Sequence, residues 1–178
     1  EVGKNHVVHT TEVLEGPAKN KSYDSDDNFQ EEIRDDMILL MRQGRQYVSD
    51  HCWHKALPLF EEAIELADEV GDRRIEAQAK GNLATVFEST GQHHEAIEAY
   101  LACIETMEQV NDKTHLVGVL YNLSFSYLNI DQFEEAISCL HKSLNLGVPG
   151  SKIKVAAAKQ LALVEGKMQM YNEKAHHQ

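Results

Sequence analysis

Asn82 and Asn122 stand forty residues apart, and each side-chain amide can donate and accept a hydrogen bond at once. Two such amides in register can clamp the main chain of an extended peptide without reading its side chains. Other residues that could do chemistry lead to less. His51-Cys52-x-His54 gathers metal-ligand types, yet tetrahedral zinc takes its ligands from two separated pairs and the second pair is missing. His93-His94 fall where a turn is expected and read as solvated. No G-x-S-x-G elbow, glycine-rich phosphate loop or H-E-x-x-H pair is present. The expectation is therefore a non-enzymatic chain with no catalytic residue, cofactor site or metal site.

The elements that would position the two amides announce themselves by repetition. Ala56, Ala96 and Ala136 recur every 40 residues; nine residues before them come Tyr47, Phe87 and Tyr127, and three before those the small residues Gly44, Ala84 and Ser124. Between Ile75 and Glu88 the apolar or small residues Ala79, Leu83, Ala84, Val86 and Phe87 fall at helical spacing. Ser89-Thr90-Gly91 and Asn129-Ile130-Asp131 read as breakers, with Gly91 placed as a left-handed glycine just past a helix end. Small residues let two helix backbones approach, and the aromatic ring fills the remaining gap. The unit is an antiparallel helix pair, which can bury its apolar face only by stacking on its neighbours.

These positions resemble the tetratricopeptide repeat. The first repeat supplies Gly44, Tyr47, Ala56, Phe60 and Ala63, the second Leu83, Ala84, Phe87, Ala96 and Tyr100, the third Leu123, Ser124, Tyr127, Ala136 and Leu140. The family's Trp position holds Leu40, Lys80 and Leu120, its closing Pro is absent, and the interval exceeds the usual ~34 residues. This longer variant is similar to the arrays of Pins/LGN-type and kinesin-light-chain-type adaptors. The resemblance implies an all-α, right-handed α-solenoid of three helix pairs closed by a C-terminal capping helix. It also implies a peptide groove along the first helix of each pair: Met41, Arg42 and Arg45, then Gln78, Asn82 and Thr85, then Tyr121, Asn122 and Phe125, with Lys159 and Lys167 on the last helix. Asn82 and Asn122 resemble the family's asparagine ladder, whereas the carboxylate clamp is incomplete, because Met41, Arg45, Gly118 and Asn122 occupy its other places.

Formal net charge is −12, from 17 Lys and Arg against 29 Asp and Glu. A local cationic strip would select an acidic ligand even where the whole-molecule field repels one. The expected partner is thus a protein segment with acidic and apolar side chains; a structural subunit working through its ends or convex face, and a co-chaperone-like clamp, stand as alternatives. Nucleic acid is disfavoured by the charge, and no apolar run has the ~18 residues of a membrane span. Three cysteines, all expected on second helices, suit a reducing compartment. A cytoplasmic setting with cytoskeletal association is expected. Residues 1–29 read as a mobile leader, 30–150 as the repeats, and 151–178 as capping helix and tail, with Ser151 as N-cap. Self-association through the leader or the solenoid ends is a further expectation, as is derivation of the chain from a longer protein.

Overall fold

In a computed structural model that describes residues 25–176, every described element is an α-helix. The helices are α1 (Ser25–Ser49), α2 (Trp53–Val70), α3 (Arg73–Ser89), α4 (His93–Gln109), α5 (Lys113–Asn129), α6 (Phe133–Leu146) and α7 (Lys152–His176). Each packs on the next in the chain, giving the three expected pairs and a final unpaired helix. α1 begins at Ser25, earlier than the boundary expected near residue 30; the remainder of the leader lies outside the described residues.

A twenty-residue beat underlies the forty-residue repeat. The chain takes a left-handed conformation at His51, Gly71, Gly91, Asn111 and Asp131, with φ between 54° and 77°. In each turn the following residue donates its N–H to a carbonyl five positions back, at 2.8–3.0 Å: Cys52 to Tyr47, Asp72 to Ala67, Gln92 to Phe87, Asp112 to Met107 and Gln132 to Tyr127. These bonds satisfy carbonyls that a helix end leaves orphaned. Starts are marked differently within a pair. Asp72 and Asp112 cap the first helices α3 and α5 through their carboxylates, at 3.1 Å to Ile75 N–H and 3.2 Å to His115 N–H. The second helices begin after Cys52, Gln92 and Gln132 without a side-chain cap.

Phe60, Tyr100 and Leu140, four residues after each repeat alanine, are large side chains fully buried at the pair interfaces. Tyr47, Phe87 and Tyr127, expected to fill the gap between paired helices, are half-buried and pack at the edge of the same clusters. Phe60 explains Gly44: a Cβ on Gly44 would stand 2.6 Å from the Phe60 ring. Two buried hydrogen bonds repeat across pairs. The Cys103 thiol donates to the Ala77 carbonyl at 3.1 Å and the Ser143 hydroxyl to the Val117 carbonyl at 2.9 Å, each from the second helix of a pair to the first. Cys103 and Cys139 lie on second helices as expected, but Cys52 stands just before α2.

First helices touch first helices, α1 to α3 and α3 to α5, and α7 touches α5, whereas α2, α4 and α6 stand apart from one another. α1, α3 and α5 therefore form the closely spaced inner layer. Glu88 near the end of α3 fastens this layer, accepting from the Ser126 hydroxyl and, at 2.9 Å, from the Asn129 amide of α5. α7 covers the open end of the third pair with Ala157, Leu161, Val164 and Met168, set against Phe133, Leu140 and Leu128.

Candidate functional site

The inner layer encloses an open trough of about 380 Å³ between the first helices of successive repeats. Arg45 comes from α1; Gln78, Gly81, Asn82 and Thr85 from α3; His115, Gly118, Val119 and Asn122 from α5. The spacing explains this gathering, since residues three, four and seven apart share one helix face. Gly118 leaves the wall bare: a Cβ there would meet nothing within 4 Å, so the glycine keeps space open rather than relieving a clash.

The trough has a floor that the sequence did not disclose. Tyr100 reaches in from α4, buried to 1% exposure, and its hydroxyl lies 3.3 Å from the Thr85 hydroxyl. Burial pushes the Tyr100 phenol above its ordinary pKa, against the pull of its hydrogen bonds with Thr85 and Asn122, so the phenol is neutral at physiological pH. Met107, from the same helix, adds an apolar wall. Val119 and His115 were also unforeseen, and the Nδ1 of His115 lies 2.7 Å from the Asp112 carboxylate that caps α5. A signal for Tyr100 was present, because it stands at the buried Phe60 position and carries a polar tip.

Five of the expected groove residues thus come together: Arg45, Gln78, Asn82, Thr85 and Asn122. Met41 does not join them. It is 3% exposed and packs with Ala56, Phe60 and Ala79, because its α1 position faces α2 and α3. Arg42 is exposed but lies outside the trough lining. Tyr121 and Phe125 are half-buried and stack edge to face, centroids 5.0 Å apart; Tyr121 packs into the cluster under α7, and neither lines the trough. Lys159 and Lys167 are exposed on α7, also outside it.

Among the described residues no cluster of three or more His, Cys, Asp or Glu side chains could hold a metal ion. In the His51-Cys52-x-His54 stretch, His51 stacks edge-on to Trp53 and the Cys52 thiol leans on the Asp50 carbonyl at 3.6 Å. No described helix is long and apolar enough to cross a membrane.

Stacked helix pairs with a trough along their inner layer define an α-solenoid of the class whose members work as protein-interaction modules. Residues 35–109 and again 117–146 match the tetratricopeptide repeat, more than half of the sequence together, and the chain belongs to the tetratricopeptide-repeat family. The TPR domain of Arabidopsis FLU shares its fold with a TM-score of 0.61 at 18% identity, covering 64% of this chain and 95% of that one. The Sgt2 TPR domain from Aspergillus fumigatus gives 0.61 at 19% identity, over 77% of this chain and 82% of that one. A putative kinesin light chain from Podospora anserina, with nearly identical TPR-like repeats, gives 0.63 at 16% identity, over 79% and 70%. At these identities the likeness is one of fold. No curated protein matches the sequence.

Proposed function

We propose that the chain is a protein–protein interaction adaptor whose inner trough receives an extended segment of a partner, rich in acidic and apolar side chains. The observation that carries this reading is the trough's chemistry. Its permanently charged lining group is Arg45, with His115 held against Asp112 at the edge, neutral Tyr100 below and no carboxylate in the lining itself, in a chain of net charge −12. Gln78, Asn82 and Asn122 supply amides on both walls, matched to a peptide backbone whose N–H and C=O groups need both donors and acceptors. An open trough suits an extended strand better than a compact small molecule, which a concave enclosed pocket serves. Arg45 then contributes encounter rate and selectivity, while each amide contact adds roughly 0.5–1.5 kcal/mol. Three free thiols agree with work in a reducing, cytoplasmic compartment.

The test uses an array of ten-residue acidic-apolar peptides, the binders then titrated calorimetrically. Gly118→Leu, whose Cβ would stand free of its neighbours and whose side chain would take up trough space, and the double variant Asn82→Ala/Asn122→Ala should each weaken binding at least tenfold. Glu98→Lys, on the exposed side of α4, should leave it unchanged. Wild-type affinity in both trough variants, with loss in the Glu98 variant, would move the binding surface to the outer helices.

A further inference from the structure

The gaps between second helices differ in a way that the repeat itself does not demand. Between α2 and α4, over α3, the key positions are polar. Buried Glu76 pairs with Arg73 at 2.7 Å and with Lys80 at 2.5 Å, and Lys80 also donates to the Thr106 hydroxyl at 3.2 Å. Forty residues on, the same register positions all carry leucine: Leu116 replaces Glu76, Leu120 replaces Lys80, Leu146 replaces Thr106, and Leu101 replaces Glu61. The result is an apolar cleft of about 440 Å³ between α4 and α6, floored by α5. Leu101 at its edge is 47% exposed and Leu146 39%. Glu108 and Glu135 stand on its rim against Lys142. A repeat that elsewhere wedges this gap with ion pairs has here laid a leucine floor, Leu116 and Leu120, under two exposed leucines, Leu101 and Leu146, as surfaces that bind another apolar surface do.

The same molecule carries an apolar surface of the opposite shape. α7 is apolar on both faces: one is spent on α6 and α5, and the other presents Val155, Leu163 and Met170 to solvent at 49%, 63% and 59% exposure. Lys152 and Lys159 are exposed along that outer ridge. At spacings of eight and seven residues the three apolar side chains fall on one face, as a helix that lies in a groove requires.

We propose that the outer ridge of α7 from one copy of this chain docks into the α4–α6 cleft of a second copy, leucine against leucine, with α7 lysines over the glutamates of the rim. Within one molecule α7 is fixed by its opposite face, so the ridge meets a cleft only on another copy. The contact is heterologous: each molecule offers one ridge and one cleft, and association runs head to tail. It does not involve the inner trough and stands independently of the peptide-binding reading. A contact of this extent belongs to the weak, transient class, and its charge complementarity makes it sensitive to salt.

Sedimentation velocity on the full 178-residue chain, from about 10 to about 500 µM, tests it directly. The wild type should associate with rising concentration, and less so in high salt. Leu101→Glu, which spoils the cleft, and Leu163→Glu, which spoils the ridge, should each weaken association at least tenfold without lowering the melting temperature, both sites being exposed. An equal mixture of the two variants should form a one-to-one complex that grows no further, since the mixture retains one good ridge and one good cleft. A wild type that stays monomeric throughout, variants that still associate, or a mixture that fails to pair would each overturn the proposal and leave the cleft to a different occupant.

Discussion

Glu76 is buried, yet the cations around it keep it ionised. Burial alone would raise its pKa, but hydrogen bonds and charge from Lys80 and Arg73 outweigh burial and bring it below the usual Glu value. A carboxyl that titrates lower folded than unfolded stabilises fully above its unfolded pKa of about 4.3 and loses that contribution as pH falls through the folded value. Melting temperatures should therefore drop in acid, and Glu76→Gln should flatten that drop while costing roughly 1–3 kcal/mol at neutral pH. The thiols give a second expectation. Burial pushes Cys103 up to about 12 and Cys139 up to about 11, so both stay protonated and shielded. Maleimide at neutral pH should label Cys52 in the folded chain, and labelling of all three should appear only on unfolding. At this scale the sequence disclosed the two trough amides, since equal residues at an equal interval are visible without coordinates. For Tyr100 it carried only an indirect signal, a polar tip at the buried Phe60 position, because that hydroxyl enters the trough from a helix of the outer layer. Met41 was misplaced because one residue's shift around α1 turns a side chain from the trough into the core.

The helices and their turns were largely legible, because apolar spacing and breaker residues are local signals. Less legible was that every regular turn uses one left-handed residue, since only Gly71 and Gly91 advertise it; His51, Asn111 and Asp131 adopt the same backbone against their own preference. Replacing Asp131 by Gly should relieve that strain and raise stability by about 0.5–1 kcal/mol, read as a shift in denaturant midpoint at constant slope. A loss of stability would show that the Asp131 side chain contributes more than its backbone costs. The α6–α7 connection departs from the pattern, with Gly147 extended and Gly150 at φ 76° around Pro149, and this longer link sets α7 against the end of the array.

At the scale of the molecule, α7 is what allows the third pair to end in water. Without it Phe133, Leu140, Leu128 and Tyr121 would lose their cover, an apolar patch of the kind that drives association. A chain ending at Pro149 should aggregate or unfold without cooperativity; a stable monomer of that length would show α7 to be dispensable for the fold. The packing of every helix on its chain neighbour has another result, one of timing. Each segment meets its main partner about twenty residues away, so loops to be closed are short, and such local topologies fold within microseconds to milliseconds. A nascent chain can complete one hairpin of helices before the next has left the ribosome, and the leucine-lined cleft, built from three consecutive helices, is formed only once α6 has emerged.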